Sequence, residues 1–194
     1  SNKSGNMAPQ PLPLADDAPV AVWSAVVNGN PVRAIIKSHD VLLDVIRDGI
    51  GSLGTKRGCD MGTCGCCTVM IDGKPRLSCL TLAMEAKNHQ ITTVEGLSDG
   101  HYLHPIQDMF AECGGSQCGF CTPGFLVASA ALLDGNPTPT REEAMQAIEG
   151  NLCRCTGYQQ IIDSIMSASK ILSEGSQIQA TTEPASDPHP NSRG

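Results

Sequence analysis

Aromatic side chains are scarce in this 194-residue chain: one Trp, two Tyr and three Phe, 3% of the sequence. Cations are in the minority too, with 13 Lys and Arg against 20 Asp and Glu and a formal charge of −7. A surface short of positive charge repels phosphate backbones, and few rings are left for base stacking, which argues against nucleic-acid binding. Long apolar runs are missing. The longest, Phe125 to Leu133, is about half of what a membrane-spanning helix requires. The first twenty residues have no basic start followed by an apolar core, and no twin arginine, so no secretory leader is visible. The expected compartment is cytoplasmic and reducing; because the first residue is Ser, a periplasmic setting stays open if a leader was removed.

Cysteine is what the chain has in excess: ten residues. A disulfide framework is the first reading to weigh. Disulfide-dense chains are usually small and poor in core, whereas this one is 40% hydrophobic and long enough to bury a real interior. The cysteines are also bunched. Cys59, Cys64, Cys66, Cys67 and Cys79 form one group, Cys113, Cys118 and Cys121 a second, and Cys153 and Cys155 a late pair. Thiols so close along the chain rarely reach disulfide geometry with one another, but they can converge on a metal.

Turn and cap signals divide the chain. A flexible arm is expected over 1–19. Val20–Val27, Asn28-Gly29 and Val32–Ile36 read as a hairpin. Asp40 is placed to cap a short helix with Leu42, Val45 and Ile46 on one face, closed by Gly49, Gly51 and Gly54. A second hairpin is expected over Thr68–Ile71 and Leu77–Cys79 across Asp72-Gly73, then a strand over Ile91–Val94. From there the pattern is helical. Ile106, Met109, Phe110 and Cys113 share a face. Thr122-Pro123 reads as a cap with a first-turn proline before a helix running to Gly135. Thr140 to Glu143 is a capping box before a helix ending near Gly150. Ile161, Ile165, Ala168 and Leu172 line a last helix stopping at Gly175. The expected class is α+β: a β-rich domain over 20–97, a four-helix domain over 98–173, and a disordered tail over 174–194.

Cys59-x4-Cys64-x2-Cys67 followed by Cys79 has the start of the plant-type [2Fe–2S] spacing. Gly58, Gly62 and Gly65 let the backbone wrap a small cluster closely, and free N–H groups in the loop can bond its sulfurs. Zinc prefers two separated cysteine knuckles, which this loop does not resemble. A Rieske centre needs two histidines, and His39, His89, His101, His104 and His189 all stand apart from these cysteines. His101 and His104 read as ordinary loop and helix-start residues. Cys118-x2-Cys121 and Cys153-x-Cys155 supply four more thiols. Cys121 directly precedes one expected helix and Cys155 another, so two positive helix ends are expected to face one anionic centre.

These strings resemble the small iron–sulfur subunit of the xanthine oxidase family of molybdenum hydroxylases. The resemblance rests on Gly58 to Val69, Ser78-Cys79, Gln117 to Gly124 and Asn151 to Tyr158, and covers about 20–172 with both constellations in order. The short gap from Cys67 to Cys79 fits members built as separate subunits. The resemblance implies a β-grasp ferredoxin-like domain followed by a four-helix-bundle domain, each with one [2Fe–2S] cluster. It implies Cys59, Cys64, Cys67 and Cys79 as ligands nearer a flavin, and Cys118, Cys121, Cys153 and Cys155 as ligands nearer molybdenum. Gln117 matches a glutamine that hydrogen-bonds the pterin, and Cys155 a ligand that also touches it.

The implied partners are a large subunit with a molybdenum-pterin dinucleotide and a medium subunit with FAD. Electrons from the molybdenum site would pass singly through the helical-domain cluster, then the β-domain cluster, to FAD. The strings Gly54–Asp60 and Asn136–Glu143 are similar to the 4-hydroxybenzoyl-CoA reductase branch. No nucleophile–base pair or paired carboxylate is visible, so no catalytic residue is expected in this chain. Cys66, where relatives carry a small residue, and Cys113 read as buried small hydrophobes. A freestanding two-cluster carrier and a zinc-stapled interaction module are the rival functions.

Overall fold

The computed structural model describes residues 19–98 and 100–181. All but Pro19 of the expected arm lies outside the described residues, as do positions 182–194 of the expected tail. The architecture is α+β: a five-stranded sheet, ordered β2-β1-β5-β3-β4, comes first and a set of helices follows.

Strands β1 (Val20–Val27) and β2 (Asn30–Lys37) form the expected hairpin, with Val27 opposite Asn30. Its two turn residues both take left-handed backbone, Asn28 at φ 51° and Gly29 at φ 77°, which matches the twist of a two-residue hairpin. Strands β3 (Thr68–Ile71) and β4 (Lys74–Leu77) repeat the device through Asp72 at φ 48° and Gly73 at φ 76°. Both turn side chains then hold strand β5 (Gln90–Thr92), which lies parallel to β1 and antiparallel to β3. Asn28 accepts from the Thr93 N–H at 2.9 Å, and Asp72 accepts from the Gln90 N–H at 3.0 Å. Prolines sit on both edge strands, Pro31 on β2 and Pro75 on β4, where a missing N–H discourages edge-to-edge pairing.

The helical turn α1 (Leu42–Asp44) runs into a wider π turn over Val45–Gly49. Leu42, Val45 and Ile46 are buried with Trp23, Ile36, Val69 and Ile91 against one face of the sheet. The Trp23 indole N–H donates to the Ala83 carbonyl at 2.7 Å. Helices α2 (Pro105–Glu112), α3 (Thr122–Gly135), α4 (Arg141–Ala147) and α5 (Gln159–Thr181) enclose the second core. Helix α3 is apolar on all sides and buried from Gly124 to Ala130, as expected for a helix with neighbours all round. Strand β3 belongs to both cores: Val69 faces the sheet-side cluster and Met70 the helical one.

Several local expectations are corrected. Asp40 caps no helix; its carboxylate accepts the Lys37 N–H at 2.7 Å and Val41 is the cap. Strand β4 ends at Leu77, so Cys79 lies in the turn beyond it rather than on the strand. Strand β5 ends at Thr92, and Val94–Leu97 is a short 3₁₀ turn. The α3 cap is Cys121; Thr122 is already helical, and its hydroxyl bonds Ser116 at 2.9 Å. Helix α4 ends at Ala147, earlier than expected. Helix α5 runs through Gly175 to Thr181, because one glycine costs a helix only about 1 kcal/mol.

His104 starts α2 as an unusual cap: its Nδ1 accepts the Ile106 N–H at 3.2 Å while Gln107 reaches back to the His104 N–H at 2.9 Å. Burial lowers the His104 pKa below its usual 6.5, against the pull of Asp134. A protonated ring cannot accept that bond. The unfolded chain therefore takes the proton more readily than the folded one, so this contribution is full above the ordinary histidine value and is lost as pH falls through the depressed folded value. Urea midpoints are expected to drop from pH 7.5 to 5.5 by more in wild type than in His104→Asn, which keeps a cap without titrating. Equal drops would refute the assignment.

Candidate metal centres

The loop from Ile50 to Cys67 has no regular secondary structure and is tied down by side chains. Arg47 donates to the carbonyls of Leu53 and Thr55, and the Glu95 carboxylate accepts from the Gly54 N–H at 2.7 Å and the Ser52 hydroxyl at 2.9 Å. Arg57 joins Asp44 to Asp60. This frame presents Cys59 and Cys64 half-buried and Cys66 and Cys67 buried, with buried Cys79 brought back by β4.

All ten cysteines are free thiols, and nine of them, all but Cys113, approach another thiol. In the first constellation Cys59 and Cys66 both approach Cys64, and Cys67 approaches Cys79. In the second, Cys121 approaches Cys153 and Cys118 approaches Cys155. Among the described residues, no three His, Cys, Asp or Glu side chains converge on the position of one ion. Two pairs per constellation are the donor set of a binuclear cluster, in which each of two irons takes two thiolates. A cradle is present as well: a Cβ at Gly58 would lie 2.9 Å from the Cys64 sulfur, so only glycine leaves room there.

Backbone N–H groups aim at the sulfurs, as the loop composition predicts. The N–H groups of Met61 and Cys64 bring the Cys59 thiol down to about 7, and the Cys64 N–H stands 3.4 Å from its sulfur. Burial works against ionisation of Cys153, but the Thr156 hydroxyl, 3.2 Å from its sulfur, and the N–H groups of Thr156 and Cys155 hold its pKa low. Burial pushes the Cys66, Cys79 and Cys121 thiols up to about 12. Donating its S–H toward Cys118 raises the Cys155 pKa. The expected pair of helix ends becomes one. Cys121 caps α3, but α5 starts four residues beyond Cys155, after Gly157 and Tyr158, both left-handed.

The two constellations are clasped together. The Leu152 N–H donates to the Cys64 carbonyl at 2.9 Å, and the buried Asn151 amide donates to the Gly65 carbonyl at 2.9 Å. Tyr158 fastens the Cys153 loop: its hydroxyl accepts the Cys153 N–H at 3.0 Å and donates to the Asn151 carbonyl at 3.3 Å, while its ring meets Phe125 edge-on at 6.0 Å. Asn151 and Tyr158 stood in the motif strings without an assigned role; the Asn151 contact joins residues 86 apart and leaves no local pattern. Gln117, Cys118 and Cys155 lie on the exposed side of the second constellation. Cys113 is half-buried, its sulfur 3.8 Å from the Ser167 hydroxyl, apart from both centres.

Two family descriptions match the chain: a "2Fe-2S iron-sulfur cluster binding domain" over residues 28–112 and a "[2Fe-2S] binding domain" over residues 93–181. The nicotine 6-hydroxylase small subunit of Paenarthrobacter nicotinovorans is 46% identical over 142 residues, 73% of this chain and 86% of that one. The chain belongs to the small iron–sulfur subunits of the xanthine oxidase family of molybdenum hydroxylases. Quinoline 2-oxidoreductase from Pseudomonas putida 86 superposes with a TM-score of 0.76 at 44% identity, over 80% of this chain and 98% of that one. Mouse xanthine dehydrogenase/oxidase is 43% identical over 157 residues, 74% of this chain but 12% of that much longer one. As a family member the chain is an electron-transfer subunit of an oxidoreductase complex, and its two matched domains account for two [2Fe–2S] clusters. A freestanding carrier is not favoured. No helix among the described residues is long and apolar enough to cross a membrane.

Proposed function

We propose that Cys59, Cys64, Cys67 and Cys79 hold one cluster in a β-grasp ferredoxin-like domain over 20–97, and that Cys118, Cys121, Cys153 and Cys155 hold the other in a four-helix domain over 98–173. The observation that carries this reading is the convergence of these eight thiols in two groups, Cys59 with Cys64 and Cys67 with Cys79 in one, and Cys121 with Cys153 and Cys118 with Cys155 in the other. Bound there, each cluster takes up and releases one electron, so the two in series connect a molybdenum-pterin site with FAD. The chain's own residues set the terms. The Cys59 loop and Thr156 aim donors at the sulfurs, and the Asn151 clasp fixes the separation of the centres.

Exposed Cys155 and Gln117 face the large molybdenum-pterin subunit in this reading, with Gln117 hydrogen-bonding the pterin. The half-buried Cys59 and Cys64 lie on the side of the FAD subunit, near the exposed apolar side chains of Met61 and Leu80. The substrate is set by the large subunit; relatives' names range from nicotine and caffeine to aldehydes. Ten free thiols suit a reducing cytoplasm. Full chain purified without oxygen is expected to carry about four irons and about four acid-labile sulfides. Dithionite should then bring up two distinct paramagnetic signals at low temperature. Zinc in place of iron, or a single signal, overturns the reading.

A further inference from the structure

The first constellation holds one thiol more than a four-thiolate cluster uses. Cys66 lies between Cys64 and Cys67 and is 5% exposed. Its sulfur is 3.9 Å from the Cys64 carbonyl oxygen, but that oxygen already takes the Leu152 N–H at 2.9 Å. A carbonyl oxygen can accept a second donor, but at 3.9 Å the weak S–H donor is only loosely held there. The other acceptor within reach is the Cys64 sulfur, which shares the space over Gly58. Both sulfurs stand over Gly58: a Cβ on that residue would lie 2.9 Å from the sulfur of Cys64 and 3.1 Å from that of Cys66. The Phe120 ring, 3.4 Å from the same point, covers the spot from the side of the second constellation.

We propose that Cys66 is a positioning residue for electron transfer, whose S–H donates to the Cys64 sulfur and raises the reduction potential of the first centre. This rests on the reading of Cys64 as a ligand. A metal-bound thiolate is a charged acceptor, so the bond is stronger than one between neutral thiols. Reduction places more negative charge on the cluster and its sulfurs, and a donor aimed there stabilises the reduced form more than the oxidised one. Cys66 thus makes the first centre a deeper sink for an electron arriving from the second. A buried small hydrophobe in its place would have no such effect.

The test is a redox titration followed by electron paramagnetic resonance on the full chain. Wild type is compared with Cys66→Ala, Cys66→Val and Cys66→Ser, and the first-centre signal is identified by its loss in Cys79→Ala. All three Cys66 variants are expected to keep their iron. Removing the donor is expected to shift the first-centre equilibrium toward the oxidised form by about tenfold, about 59 mV for one electron. Serine is expected to keep the wild-type value or exceed it, and the second centre stays unmoved throughout. An unshifted first centre in Cys66→Ala and Cys66→Val overturns the role of Cys66, as does an equal shift of both centres. Iron loss in both variants overturns it too, by making Cys66 a ligand. Retention of all iron in Cys64→Ala brings down the ligand assignment instead.

Discussion

Cys153→Ala is expected to purify with about two irons per chain instead of about four, and with one of the two paramagnetic signals gone. Cys153 pairs with Cys121, and the Thr156 hydroxyl donates to its sulfur, so alanine removes one ligand and orphans two neighbours. Three thiols do not complete a four-thiolate site. The signal that survives should have the wild-type potential, since Cys59, Cys64, Cys67 and Cys79 come from other segments of the chain. One-electron centres in series conduct only as a series, so turnover of the assembled complex should fall to background. Metal affinity is also folding free energy, and the variant should melt earlier. Cys113→Ala is the control: its sulfur meets Ser167 and neither centre, so iron and both signals remain. Full iron in Cys153→Ala would refute the second ligand set.

Gly124→Ala is expected to destabilise the protein by about 3 kcal/mol. Alanine in a helix ordinarily gains about 1 kcal/mol over glycine, so the sign depends on what the new methyl meets. A Cβ at Gly124 would lie 2.3 Å from the Gly65 carbonyl oxygen, 3.0 Å from the Asn151 amide nitrogen and 3.1 Å from the Cys66 Cα. Two of those are backbone atoms of the cysteine loop and cannot swing aside. The helix must move away from the loop, and the Asn151 bond to the Gly65 carbonyl goes with it. At about 2–4 °C per kcal/mol for a domain of this size, the melting point should drop by about 6–12 °C. Gly135→Ala, at a helix end with nothing within 4 Å, should leave it unchanged or slightly raised. A rise for Gly124→Ala would show that α3 and the cysteine loop do not press together.

Much of this was legible in the residues because the signals are local. Asn28-Gly29 and Asp72-Gly73 dictate their turns by backbone conformation, and Thr140 with Glu143 closes its capping box, the Glu143 N–H donating to the Thr140 hydroxyl at 3.2 Å and the Thr140 N–H to the Glu143 carboxylate at 2.7 Å. The cysteine spacings announced clusters because ligands from one loop must be near in sequence. What was misread turned on partners far along the chain or on competing local bonds. Asp40 had a closer acceptor role at the Lys37 N–H than at a helix start. Thr122 lost its cap role because Cys121 took it while its own hydroxyl turned to Ser116. Gly175 looked like a stop but sits within a helix. The Asn151 clasp and the placing of Phe120 over Gly58 join segments with no shared pattern.

Strand β3 has neighbouring side chains committed to opposite interiors, Val69 to one and Met70 to the other. Severing the polypeptide after position 98 would therefore wet Met70 and expose the flank of α3 that rests on the sheet. Neither fragment is expected to stand as a miniature carrier by itself, so the polypeptide behaves as one inseparable cassette.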